Sequence, residues 1–200
     1  MTKAKIIGLC GGSGAGKGTV CEIFLRYGIP SVDTDAVSKK LMQKGFKCYE
    51  EVADAFGSRI LDENGDIIRK KLAEYIYSDT SMKKRLEEIT HRHIIGYTLE
   101  RFDEFYKDGA EYVIADAPLL FESGMDKICY KTVGVIADEE IRIGRIMQRD
   151  NITREFAEKR IKAQLTSEEL KNRCDIIIEN NSDLEQLEKN VRAAINEIKI

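Results

Sequence analysis

Lys17 closes the run Gly11-Gly12-Ser13-Gly14-Ala15-Gly16 and is followed by Gly18 and Thr19. Four glycines within the six positions before Lys17 allow the positive φ angles that turn backbone N–H groups toward anionic oxygens. Lys17 adds a mobile positive charge. Val20, Ile23, Phe24 and Leu25 have the spacing of a helix that begins at the loop, and its N-terminus adds partial positive charge at the same spot. The expected occupant is a di- or triphosphate, with Gly12, Ser13, Gly14, Ala15, Gly16, Lys17, Gly18 and Thr19 around it; this is the Walker A arrangement. Gly18 stands where Ser or Thr normally binds Mg²⁺, and the hydroxyl comes one place later at Thr19. Metal holding therefore shifts toward Thr19, water and strand-end aspartates.

Ser31-Val32-Asp33-Thr34-Asp35 sets two carboxylates at i and i+2, on one side of an extended chain at its C-terminal edge, where open α/β sheets bind ligands. One can accept the proton of an attacking hydroxyl and the other can orient Mg²⁺. In a purely structural role, Asp33 would end the strand and Asp35 would cap the next helix. Glu111-Tyr112-Val113-Ile114-Ala115-Asp116 ends in an acid in the manner of a Walker B strand, which makes Asp116 a metal candidate. Pro118-Leu119-Leu120-Phe121-Glu122 then either walls a substrate cleft or packs against neighbouring helices. Arg142, Arg145 and Arg149 recur at i, i+3 and i+7 on one helical face, with Arg154 and Arg160 beyond. Phosphoryl transfer needs cations over the moving group, so Arg145 or Arg149 is expected to contact phosphate. Gln148 to Thr153 would suit the hinge of a closing lid. His93 is assigned to packing, and His91, on the other face of its helix, stays open as a substrate contact.

These residues need a scaffold, and the pattern supplies one. Strand-like segments Ile6–Cys10, Pro30–Asp33, Glu111–Ala115, Thr132–Ala137 and Asp175–Glu179 are rich in Val or Ile and separated by helical pattern. That is how a five-stranded parallel sheet with helices on both faces reads in sequence. Thr166-Ser167-Glu168-Glu169 and Ser182-Asp183-Leu184-Glu185 have capping-box form. The roughly 75 residues between the second and third strands exceed one crossover helix, so a helical subdomain is inserted there. Its turn is Asp62-Glu63-Asn64-Gly65-Asp66. On its long helix Met82, Leu86, Ile89, His93 and Tyr97 share one face, and His91, Ile95, Thr98 and Phe102 the other.

The chain has 200 residues, 42% of them hydrophobic and 34% charged, with a net charge of −3. It carries no global basic field, which disfavours nucleic acid as the main partner. No apolar run approaches membrane-spanning length and the N-terminus shows no signal-peptide pattern, so a cytoplasmic location is expected. Cys10, Cys21, Cys48, Cys129 and Cys174 are scattered without a Cys-x-x-Cys pair, which indicates reduced thiols of structural character.

The ordered set resembles the dephospho-coenzyme A kinase family through nearly the whole chain. The matching residues are Gly8-Leu9-Cys10-Gly11-Gly12-Ser13-Gly14-Ala15-Gly16-Lys17, Val32-Asp33-Thr34-Asp35, Pro118-Leu119-Leu120-Phe121-Glu122, Gln148-Arg149-Asp150 with Thr153, Ala163-Gln164, and Asp175 to Asn181. The resemblance implies transfer of the ATP γ-phosphate to the ribose 3′-hydroxyl of dephospho-CoA, with Mg²⁺, as the last step of CoA biosynthesis. It also implies a P-loop NTPase-type core (about 1–35, 110–145 and 172–200), a helical substrate-side insert (about 36–109) and a helical lid (about 146–171). Carried over by position, Asp35 is the general base and Asp33 its helper or a water-mediated metal contact. Thr19 and Asp116 complete the metal set, Lys17 and the loop hold the β and γ phosphates, and Arg145 and Arg149 act from the lid. Asn180 lies near the adenine, and His91, Pro118 and Leu119 are the candidates for acceptor contact. Two positions depart from the family: Gly18-Thr19 resembles adenylate kinase, and His91-Arg92 replaces a His-Pro pair. The rival readings are a nucleoside or nucleoside monophosphate kinase and a regulatory nucleotide-binding switch; the latter lacks an Asn-Lys-x-Asp segment. Oligomeric state is left open by the sequence.

Overall fold

The computed structural model describes residues 4–200. Its centre is a five-stranded parallel sheet of β1 (Lys5–Cys10), β2 (Ser31–Asp33), β3 (Tyr112–Asp116), β4 (Lys131–Ile136) and β5 (Ile176–Glu179), in the order β2-β3-β1-β4-β5. The expected fold class is the one observed. Leu9 lies opposite Asp116 of β3 and Val133 of β4, and Gly134 lies opposite Ile177 of β5. The ends of β1 and β3 that carry the candidate chemistry are therefore level.

Strand alternation splits the sheet into two faces. Ile7, Leu9, Ile114, Val133, Val135, Ile176 and Ile178 pack with α1 (Lys17–Arg26) and α9 (Leu184–Ile198) in one apolar cluster. The other face carries Gly8, Cys10 and Gly134. A Cβ on Gly8 would lie 2.8 Å from Cys129 Sγ and 2.9 Å from Leu120, so a side chain there is excluded by what packs on the strand.

Two compact units emerge, one of Met1–Val32 with Phe102–Ile200 and one of Asp33–Arg101. The smaller begins just before the insert expected at 36–109 and takes in both Asp33 and Asp35. It ends earlier because Phe102 on α5 (Thr80–Lys107) is fully buried and belongs with the larger unit. The smaller unit holds α2 (Thr34–Leu41), α3 (Lys47–Phe56), α4 (Arg69–Ser78) and the first part of α5, around Val52, Phe56, Ile60, Leu72 and Ile89. Met82, Leu86 and Ile89 of α5 join that cluster, as their shared face requires. The Asp62–Asp66 turn is tied by Asp62 Oδ1, which accepts from the N–H groups of Asn64 (2.9 Å) and Asp66 (2.8 Å).

In the larger unit α6 (Glu139–Asp150) and α7 (Arg154–Lys162) pack through Ile143, Ile146, Ala157 and Ile161, with Ile152 at the corner and Asn151 at φ 51°. Residues 146–171 count with this unit. Thr166 forms a full capping box for α8 (Ser167–Arg173). At the last helix the cap is Asp183, which accepts from Gln186 N, and not Ser182 one place earlier.

Candidate active site

The loop after β1 is built on glycine where a side chain has no room. Gly14 (φ +77°) would set a Cβ 2.6 Å from the Arg142 carbonyl oxygen, and Gly16 (φ +97°) would drive one into the Asn180 amide. The freedom glycine brings is removed by partners far away in sequence. Arg142 Nε donates to the Ser13 carbonyl (3.0 Å), Arg145 Nη1 to that of Gly14 (3.3 Å), and Asn180 Nδ2 to that of Ala15 (2.8 Å). Gln164 accepts from Ser13 N through Oε1 (2.8 Å) and donates to its hydroxyl through Nε2 (3.2 Å). A trans peptide points its C=O and N–H in opposite directions. With those carbonyls pinned, the N–H groups of Gly14 and Gly16 face away from the pinning side chains, the orientation that cradles phosphate oxygens.

Lys17 Nζ lies 2.9 Å from Asp116 Oδ1, both side chains mostly buried at 16% and 15% exposure. The two residues singled out in separate motifs thus meet at the level ends of β1 and β3. Thr19 is half-buried in the first turn of α1, and beside it Gly18 is exposed with nothing within 4 Å of a Cβ position.

The arginine row divides. Arg142 is 5% exposed, and its two hydrogen bonds go to neutral oxygens, the Ser13 carbonyl and Gln164 Oε1 (3.3 Å). Burial pulls its pKa below the ordinary arginine value, yet a guanidinium keeps its proton at any physiological pH. Arg145 also hydrogen-bonds Asn180 Oδ1 (3.4 Å). Arg149, with a side chain 59% exposed, forms a bidentate pair with Asp150 (2.7 and 2.9 Å), which Arg160 joins. Arg154 is taken by Glu140 and Glu158. Sequence reasoning placed Arg142 in the row without singling it out for the site. Its position three residues before Arg145 was the only signal, because burial of a cation is a tertiary fact. Gln164 was visible only as part of a family motif. Asn180 is 5% exposed, and its side chain is committed to Ala15 and Arg145.

In the smaller unit the acidic pair has a defined division of labour. Asp33 caps α2, with Oδ1 accepting from Asp35 N (2.8 Å) and Ala36 N (3.0 Å). The capping role considered for Asp35 therefore belongs to Asp33, because the helix begins at Thr34 and its orphan N–H groups fall one and two residues later. Asp35 is exposed in the first turn and lines a cleft of about 490 Å³ with Ser38, Lys39, Met42, Asp66 and Arg69. His91 is half-buried on α5. His93 Nε2 lies 3.2 Å from Glu51, which Arg92 also meets, so His93 has an acidic neighbour beyond plain packing. Back in the larger unit, the Pro118 segment splits: Leu120 is fully buried, Pro118 half-buried and Leu119 55% exposed.

A parallel sheet whose first strand ends in a glycine loop, with Lys17 on a strand-end acid and a buried guanidinium beside it, defines a P-loop phosphotransferase. The family model for dephospho-CoA kinase matches residues 5–186. A dephospho-CoA kinase of Fusobacterium nucleatum is 43% identical over 186 residues, 93% of this chain and 94% of that protein. A solved protein of Thermus thermophilus is 31% identical with a TM-score of 0.82, covering 97% of both chains. The dephospho-CoA kinase from Campylobacter jejuni is 28% identical with a TM-score of 0.67, covering 96% of both. The chain belongs to the dephospho-CoA kinase family.

Proposed function

We infer that the chain transfers the γ-phosphoryl group of ATP to the ribose 3′-hydroxyl of dephospho-CoA, giving CoA and ADP, the last step of CoA biosynthesis. The observation that carries the chemistry is the pinned loop. Arg142, Arg145 and Asn180 hold the carbonyls of Ser13, Gly14 and Ala15, which turns the opposite N–H groups outward as preorganised donors for phosphate charge. Family membership carries the acceptor's identity.

In this reading Lys17 and the loop N–H groups bind the β and γ phosphates, while Arg142 and Arg145 hold the loop in that shape from behind. Arg149 brings a cation to the moving group from 146–171, which acts as the lid. Asp35 takes the proton of the 3′-hydroxyl, and Asp33, fixed by its capping bonds, holds the start of α2 in place. The cleft beside Asp35 has two cations, Lys39 and Arg69, suited to the acceptor's diphosphate. His91, Pro118 and Leu119 are further acceptor contacts, and Asn180 sets the adenine end of the loop.

A magnesium ion fits the donors present. Thr19 and Asp116 of the larger unit are hard oxygen ligands, and no cluster of three or more His, Cys, Asp or Glu able to hold a metal occurs among the described residues. An ion relying on nucleotide phosphates for most of its ligands is what this pattern suits. When bound it neutralises charge on the β and γ phosphates. We place the enzyme in the cytoplasm with small-molecule substrates; no described helix is long and apolar enough to cross a membrane.

The test is coupled ADP release with Mg-ATP across dephospho-CoA, AMP, CMP, uridine and adenosine. Dephospho-CoA is expected to be used far faster than the rest, and equal turnover of a nucleoside monophosphate would overturn the acceptor. Asp35→Asn is expected to lower kcat by about 10²–10⁴-fold while ATP binding persists; unchanged kcat would remove Asp35 as the base.

A further inference from the structure

Cys10 and Cys174 are 164 residues apart, and their sulfurs lie 3.5 Å from each other. The sheet makes the meeting possible. Cys10 ends β1 opposite Gly134 of β4, and a Cβ on Gly134 would lie 3.0 Å from Cys174 Sγ. The bare glycine leaves a slot across the middle strand, through which a thiol from the β5 side reaches one on β1. Cys10 is buried at 2% exposure, while Cys174, at the C-cap of α8, is half-buried.

We propose that Cys10 and Cys174 are a reversible disulfide site, closed by low-molecular-weight disulfides, that weakens ATP use by pulling on the residue before the phosphate loop. The two thiols differ in the way such a reaction requires. Cys174 is the more acidic, drawn below the ordinary thiol value by the Cys10 hydrogen bond. Cys10 is pushed up, first by that same bond and then by burial, and its S–H also faces the Val133 carbonyl (3.7 Å). The other thiols are poor competitors: burial pushes Cys21 and Cys129 up to about 12 and Cys48 to about 11.

The chemistry balances with oxidised glutathione as the oxidant. The Cys174 thiolate attacks one of its sulfurs and expels a glutathione thiolate. Cys10 then attacks the Cys174 sulfur of the mixed disulfide. The second glutathione leaves and takes the proton from Cys10, so two protein thiols are oxidised and one small disulfide is reduced to two thiols.

Closing a 3.5 Å contact to a bond of about 2.0 Å moves the sulfurs by about 1.5 Å. Gly11 follows directly, and it has no slack: a Cβ there would lie 2.6 Å from the Val135 carbonyl oxygen and 3.2 Å from Lys17. A shift of about 1 Å in positioning groups can cost about 100-fold in rate.

The experiment treats the full-length protein with oxidised glutathione. Peptide mapping reads the bond, and ATP affinity and kcat/KM are measured before and after dithiothreitol. The expected result is a linked pair of peptides carrying residues 10 and 174, with kcat/KM for ATP lowered by about 10–100-fold and restored on reduction. Cys174→Ser should keep its rate and resist oxidation. Cys10→Ala should stop at the glutathione adduct on Cys174. A wild-type protein that stops at that adduct, or reacts first at Cys21, Cys48 or Cys129, would overturn the site. A mapped bond that leaves ATP affinity unchanged would overturn the coupling to the loop. The ATP effect rests on the kinase reading, whereas the peptide map does not, so the two fail separately.

Discussion

Replacing Arg142 by Met separates the two things that residue does. Its guanidinium makes two hydrogen bonds, at 3.0 Å to the Ser13 carbonyl and 3.3 Å to Gln164, and hydrogen bonds to a charged group contribute about 1.5–3 kcal/mol each. Against this stands the desolvation of a cation at 5% exposure with no carboxylate hydrogen-bonded to it, a penalty of about several kcal/mol. Met has a comparable length and carries no charge, so the terms nearly offset. Stability should change by less than about 2 kcal/mol, a shift in Tm of under about 8 °C for a chain of this size. Catalysis has no such compensation. Once the Ser13 carbonyl is released, a displacement of about 1 Å in the loop's N–H groups costs about 100-fold in rate, so kcat/KM for ATP should fall by about 10–100-fold. Thermal unfolding and coupled ADP release on the same preparation read both quantities. A Tm drop beyond about 10 °C with kcat/KM per folded molecule unchanged would show that Arg142 is structural, and the reasoning would fail.

Gly14→Ala combines a left-handed backbone angle with a Cβ 2.6 Å from the Arg142 carbonyl, so ATP affinity by calorimetry should fall at least about fivefold, given about 1–3 kcal/mol of strain; unchanged affinity would mean that the loop relaxes freely. Gly18→Ser meets nothing within 4 Å and sits in the first turn of α1, so it should raise stability by about 0.5 kcal/mol and lower the Mg²⁺ concentration needed for half-maximal rate, while a Tm decrease would contradict it. Asp150 is held at about 2 by the Arg149 hydrogen bonds, with Arg160 adding to them. A depressed folded pKa contributes stability above the unfolded value of about 3.9 and loses it as pH falls toward 2. The urea midpoint difference between wild type and Asp150→Asn should therefore be constant above pH ~5 and close below pH ~4; a difference that persists at low pH would refute the pairing.

Much of this was legible in the chain because it depends on local pattern. Val- and Ile-rich runs flanked by helical spacing gave five strands at nearly the observed limits, and the Met82, Leu86, Ile89 face of α5 did join a core. Local pattern also misled where two neighbours compete for one role. Ser182 and Asp183 both suit an N-cap, and the helix start at Leu184 decides for Asp183. Asp33 and Asp35 were likewise divided by where α2 begins. What could not be read was which cation is buried: Arg142, Arg145 and Arg149 are alike in sequence. The packing of α6 against the loop at one end and Asp150 at the other sets one apart as a buried donor and leaves another on the surface.

The same distinction explains why residues far downstream belong to the loop's signature. Glycine at positions 14 and 16 makes the required backbone angles accessible, but it also makes many others accessible, and an unrestrained loop would lose that entropy each time it bound phosphate. The restraint comes from Gln164 after α7, Asn180 at the end of β5, and Arg142 and Arg145 on α6, whose bonds to the loop span 129 to 165 residues. Asn181 Oδ1 accepts from Asp138 N (2.8 Å) at the start of α6, and Nδ2 donates to Asp138 Oδ1 (3.0 Å). These bonds fix that helix to β5, so its arginines arrive in register with the loop. Ala163-Gln164 and the Asp175–Asn181 run are thus the fastenings of a cradle whose visible half is the glycine run. Lys17, held on Asp116, thus follows a loop whose shape the rest of the sheet has already set.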